Sequence, residues 1–158
     1  MLAGVSIAVE SFESADGLRL VVALDVELGA LYPPENRFGA RFTAHHAEEG
    51  RGTFLVARLD GLAVGCGAFT LLDPQTAEVK RMFAAPEARG RGVGHAVLRE
   101  LEARAQALGV GRLVLETGIH QHDAIRLYER AGYERTNCWG DYAGSATSVC
   151  YQKLVAED

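Results

Sequence analysis

The consecutive residues Arg89-Gly90-Arg91-Gly92-Val93-Gly94 combine the properties needed to grip a diphosphate. Glycines 90, 92 and 94 let the backbone approach a ligand with no Cβ in the way. The amphipathic stretch that follows would present a helix N-terminus, with unpaired N–H groups and a positive dipole end. Arg89 and Arg91 add charge beside it, and His95 falls in the helix's first turn. Alone, such a turn reads equally well as a simple tight bend. The dinucleotide fingerprint G-x-G-x-x-G fails, because residue 95 is His, and position 116 lies too far along for a ribose-binding acid. The pattern G-x-x-x-x-G-K-[ST] is absent. A formal charge of -5 argues against a nucleic-acid partner. The local cluster Arg81, Arg89 and Arg91 suits a small polyanion better than a polymer.

A proton acceptor is available upstream. Glu78 lies on a strand-like run eleven positions before Arg89 (89 − 78 = 11). A half-buried carboxylate there could take a proton through water, or it could simply pair with Lys80 or a neighbouring arginine. Tyr32, Glu35 and Arg37 sit in the polar loop YPPENRFG. With Arg81 they offer both charge signs, which fits a zwitterionic, amino-acid-like ligand as well as ordinary solvated charge. His45-His46 and His120-Gln121-His122 lack Cys or carboxylates at ligand spacing, so no metal is expected. His120 remains a candidate at the mouth of a substrate pocket. Cys66, Cys138 and Cys150 show no C-x-x-C spacing and read as three reduced, mostly buried thiols. With no apolar run long enough to span a bilayer and no leader-like start, the expected setting is cytoplasmic.

These residues need elements to position them. The 158 residues suit one domain, 1–158, of mixed α/β order. Residues 5–12 are β-like. A helix is expected from an Asp16 N-cap to about Ala30, stopped by Pro33-Pro34, with Val21, Leu24, Leu28 and Leu31 at helical spacing. A short helix over 39–48 is expected next. Asp60-Gly61 between two β-rich runs signals a hairpin. Strand 77–84, helix 92–108, strand 112–117 and helix 122–131 follow, and strands near 133–138 and 147–154 close the chain. Trp139, Asp141 and Tyr142 precede the last strand, where they could cover a ligand.

The stretch VKRMFAAPEARGRGVGHAVLRELEARAQALG resembles the acetyl-CoA motif of the GNAT superfamily of N-acetyltransferases, whose core [Q/R]-x-x-G-x-[G/A] is met by Arg89, Gly92 and Gly94. A second block is also similar: Ala124-Ile-Arg-Leu-Tyr128, then Ala131-Gly132-Tyr133. One departure is Gln121, which stands where many members have Asn. The resemblance covers about residues 53–135. It implies a mostly antiparallel sheet splayed between strands 77–84 and 112–117, with acetyl-CoA wedged into the splay. It further implies that backbone at Met82, Phe83 and Ala84 pairs with the pantetheine arm, that residues 89–95 hold the pyrophosphate, and that Gln121 contacts the co-substrate. Glu78 would deprotonate a primary amine of a small molecule. A backbone N–H near Met82 or Phe83 would meet the oxyanion, and Tyr128 would protonate the thiolate, unless it is a core aromatic with a satisfied hydroxyl. Transfer would be direct, in a ternary complex, since no cysteine is placed as an acyl carrier. A non-catalytic acyl-CoA-binding module and a protein Lys or N-terminal acetyltransferase are the alternatives. Relatives commonly dimerise through terminal strands.

Overall fold

The computed structural model describes residues 4–36 and 42–155. Seven strands form one sheet in the order β1-β2-β3-β4-β5-β7-β6. They are β1 (Val5–Val9), β2 (Gly52–Leu59), β3 (Leu62–Asp73), β4 (Thr76–Ala84), β5 (Arg112–Gly118), β6 (Glu134–Thr136) and β7 (Ser148–Leu154). Every neighbouring pair is antiparallel except β4–β5. That parallel pair needs a crossover, supplied by helix α2 (Val93–Ala107), which seals Val97, Leu98 and Leu101 into the core. Among the described residues the other α-helices are α1 (Ala15–Leu31) and α3 (His122–Arg130). The Asp60-Gly61 turn has φ of 50° and 85°, the left-handed pair that a two-residue hairpin requires.

Three local expectations are corrected. Ser14, not Asp16, caps α1: its Oγ accepts from Gly17 N–H at 3.0 Å, which frees Asp16 to pair with Arg58 at 2.9 Å. Over 39–48 only a 3-10 turn, Ala44–Ala47, is present among the described residues. The chain must then pass close to itself, because a Cβ on Gly52 would lie 2.2 Å from the His46 carbonyl oxygen. Lastly, Cys138 and Cys150 are not free thiols but a disulfide, Cα–Cα 5.2 Å. Antiparallel pairing of β6 with β7 puts Thr136 opposite Cys150, so residues twelve apart in sequence meet in space. Cys66 is the free, buried thiol among the three, and burial pushes it up to about 12. No helix among the described residues is long and apolar enough to cross a membrane.

The sheet parts at one place. The β4–β5 register runs Thr76↔Arg112 to Val79↔Leu115 and stops. Lys80 and Glu116 are therefore the first residues on the two lips of the opening. Beyond it β4 still pairs with β3, through Cys66↔Phe83 and Gly65↔Ala84, but its other edge is bare. A bulge between Cys66 and Ala68 helps turn that edge outward, with Arg81 at φ 60°. A non-glycine residue there is strained, a condition that clusters at functional sites.

Candidate active site

The splay opens into a cavity of about 510 Å³ lined by β4, β5, α1, α3 with its N-cap Gln121, and the β6–β7 loop. Glu78 points into it from β4 and is only 7% exposed. Its Oε2 accepts from Tyr142 Oη at 2.9 Å and pairs with Lys80 Nζ at 3.4 Å, while Lys80 also donates to Tyr142 Oη at 3.3 Å. Glu78 thus faces the cavity and is paired with Lys80, on a buried rather than a solvated face. Tyr128 enters from α3, 5% exposed. Its hydroxyl makes no hydrogen bond to the described residues, although its neighbours Tyr133 and Tyr151 do, to Glu102 and Glu129. Burial, and secondarily the charge of Glu116, push the Tyr128 phenol well above its ordinary value, so it remains a proton-bearing donor.

Sequence reasoning missed Glu116 as a participant in this cavity. It lies on β5 opposite Cys150 of β7, half-buried, and its Oε2 accepts from Ser148 Oγ at 2.7 Å. Burial raises its pKa to about 7; the Ser148 hydrogen bond and Lys80 pull it down, and Glu78 pushes it up. The signal available was an acid directly after the apolar run Leu113-Val114-Leu115, in a strand covered on both faces, where charge has to be explained. Asp25 was missed too, and it pairs with Arg81 at 2.9 Å across the cavity wall.

The remaining candidates separate. Tyr32 lines the cavity, accepts from His120 N–H at 3.1 Å and packs on its ring at 5.6 Å. His120 itself is exposed and supports this wall from outside. Glu35 is exposed, although its neighbours Pro34 and Asn36 line the cavity. Arg37 lies outside the described residues. Gln121 lines the cavity, with its Oε1 turned back to accept from Gly118 N–H at 2.9 Å. Trp139 packs edge-on against Tyr142 at 5.4 Å, whereas Asp141 is exposed. Among the described residues no group of three or more His, Cys, Asp or Glu could hold a metal ion.

In the loop between β4 and α2, Gly90 and Gly92 sit at φ 79° and 80°. Left-handed glycines on either side of Arg91 give the kind of backbone from which amide nests are built. Gly92 caps α2 without any side-chain hydrogen bond, and Ala96 is the first residue to donate back to it, at 3.0 Å. The amides of Val93, Gly94 and His95 are thereby left for an anion. Gly94 packs closely on α3, since a Cβ there would sit 3.2 Å from Leu127 Cδ2. Arg91 and His95 are exposed beside the nest. Arg89 is anchored, donating from Nε to the Ala84 carbonyl at 2.9 Å and pairing with Glu27, so its charge is fixed in place. The Ala84 carbonyl is thus occupied, while Met82 and Phe83 lie on the bare edge of β4.

Comparison with known proteins matches residues 22–133 to the acetyltransferase (GNAT) family. This chain belongs to the GNAT family. It is 37% identical over 150 residues to the "IAA acetyltransferase" of Azospirillum brasilense, covering 94% of this chain and 97% of that one. A Klebsiella pneumoniae structure classed as an acyl-CoA N-acyltransferase superposes with a TM-score of 0.80 at 32% identity, over 95% and 97% of the two chains. A GNAT acetyltransferase of Elizabethkingia anophelis, solved with acetyl-CoA bound, shares the fold at a TM-score of 0.70 and 17% identity, over 97% and 99%. The expected GNAT fold is the one observed, with its mixed, mostly antiparallel splayed sheet. The chain is an acetyltransferase, and acetyl-CoA is its co-substrate. The nest of free amides and the bare β4 edge fit that co-substrate's two ends, an anionic diphosphate and a peptide-like arm.

Proposed function

We propose that this GNAT enzyme transfers the acetyl group directly from acetyl-CoA to a primary amine of a small molecule, within a ternary complex. The observation that carries the reading is the convergence of Glu78, Glu116 and Tyr128 on one cavity, at the point where β4 and β5 separate. Amide formation needs the ammonium to lose two protons overall, one to become nucleophilic and one after attack; the departing thiolate takes up one, and one reaches solvent. Glu116 is the group suited to receiving a proton near neutral pH, since an efficient base titrates close to the working pH. Glu78 is held by Tyr142 and Lys80 on one oxygen, which leaves Oε1 to receive the ammonium. This shifts Glu78 from sole base to anchor and relay. Tyr128, kept protonated by burial, donates to the departing sulfur. A backbone N–H of Met82 or Phe83 meets the oxyanion. Arg81, paired with Asp25, marks the cavity's other charged wall and favours an acceptor that also bears an anionic group.

A thiol-release assay with acetyl-CoA against amines, amino acids, aminoglycosides and peptides tests this. At least one small amine should be acetylated, with the product confirmed by mass spectrometry. Acetylation confined to protein lysines or N-termini, or no acetylated product at all, would overturn it.

A further inference from the structure

One short segment supplies hydrogen-bond donors to both cavity carboxylates. Tyr142 Oη reaches Glu78 Oε2 at 2.9 Å, and Ser148 Oγ reaches Glu116 Oε2 at 2.7 Å. Ser148 is linked in turn to Ser145, Oγ to Oγ, at 3.0 Å. Tyr142 is buried, yet Gly140, Asp141, Ala143 and Gly144 around it are exposed. Its seat is a 3-10 turn, Gly140–Tyr142, whose backbone bonds, Tyr142 N–H to Trp139 O at 3.0 Å and Ala143 N–H to Gly140 O at 3.1 Å, are local. The turn is held to the rest of the fold through the buried Tyr142, which packs on Trp139 at 5.4 Å. The Cys138–Cys150 disulfide, with a sequence separation of 12, closes the segment at its base. One end of that bond, Cys150, stands opposite Glu116 in the β5–β7 register. Cross-linking residues this far apart restricts the conformations open to the loop between them.

We propose that residues 139–149, stapled by Cys138–Cys150, are a clamp whose Tyr142 and Ser148 hydroxyls position Glu78 and Glu116, so that opening the disulfide weakens amine acetylation. Tyr142 and Ser148 are positioning residues here. The assignment rests on the proposed amine chemistry only for its effect on turnover. The clamp itself is a property of the protein without substrate. Opening it takes two electrons and two protons from a dithiol, which closes to its own cyclic disulfide and leaves two thiols on the protein. The groups facing Glu116 are Lys80 and Glu78 from β4, Tyr128 from α3, Tyr32 at the end of α1, and Tyr142 and Ser148 from the clamp.

The test compares oxidised wild type, wild type reduced with dithiothreitol, and the variants Cys138→Ser, Tyr142→Phe and Ser148→Ala. Carboxyl carbon-13 NMR follows the Glu116 titration with no substrate present. Ser148 lowers that titration, so Ser148→Ala should raise its midpoint by about one pH unit, the equivalent of one hydrogen bond to a charged group. Reduction and Cys138→Ser should move it the same way, and reducing Cys138→Ser should add nothing. For an acetylated amine, its KM should rise roughly 10-fold in the reduced, Cys138→Ser and Tyr142→Phe proteins. The acetyl-CoA affinity, measured by calorimetry, should stay constant and so report an intact fold. A Glu116 midpoint identical in oxidised and reduced protein would overturn the clamp, whether or not any amine proves to be a substrate. Absence of turnover in oxidised wild type, with the midpoint shift present, would instead count against the amine reading alone.

Discussion

Replacing Glu116 with Gln should make the protein more stable at alkaline pH while removing its proton acceptor. Folding carries the carboxyl from its ordinary 4.5 to about 7, chiefly through burial. A raised carboxyl pKa means that the folded state binds the proton more tightly than the unfolded chain. Its contribution is favourable below pH 4.5 and is lost as pH rises through 7, where the folded protein must hold a desolvated charge. The difference, 7 − 4.5, corresponds to about 3 kcal/mol at pH 8. Gln keeps the shape, can still accept from Ser148, and never ionises. Glu116→Gln should therefore gain up to about 3 kcal/mol at pH 8, or roughly 6–12 °C in melting temperature for a domain of this size, and almost nothing at pH 4.5. Differential scanning calorimetry at the two pH values measures it. In parallel, wild-type kcat/KM for an amine should fall about 5-fold from pH 7 to pH 6, as the ionised fraction of a group titrating at about 7 drops, a limb that the variant lacks. A gain of equal size at both pH values, or none at pH 8, would refute the electrostatic reasoning, because only the ionised carboxylate carries the cost.

Other substitutions probe neighbouring parts of the site. Tyr128→Phe removes a hydroxyl that bonds no described residue, so stability should change by less than about 0.5 kcal/mol, while kcat falls roughly 10- to 100-fold with acetyl-CoA affinity unchanged. Gly92→Ala imposes a left-handed conformation, φ 80°, on a residue with a Cβ, at a cost of about 1–2 kcal/mol. Calorimetry should show roughly 10-fold weaker acetyl-CoA binding, and unchanged binding would show that the nest does not hold the co-substrate. Gly118→Ala would put a Cβ 1.8 Å from Tyr32 Oη, so the ring must leave. About 2–4 kcal/mol of stability should go with it, and a crystal structure of the variant with Tyr32 unmoved would contradict the geometry.

The cradle, the central strand–helix–strand–helix order and the hairpin were all legible along the chain, because each is specified by neighbours. Glycines that must take positive φ, an apolar stripe at helical spacing and an Asp-Gly turn act over a few residues, and their positions survive into the fold. Glu78 and Tyr128 were legible as candidates, and both line the cavity, for the same reason: each sits at a fixed distance from a local motif. Register and crossing decided the rest. Glu116 became a cavity group only because β4 and β5 stop pairing after Val79 and Leu115. Cys138 met Cys150, and Tyr142 met Glu78 across 64 residues, only once β6, β7 and the loop between them were folded against β5. Spacing along a chain encodes dihedral preferences and periodicity. Which carboxylate is desolvated, and which hydroxyl faces it, depends on contacts between distant segments that exist only after the sheet has closed around its gap.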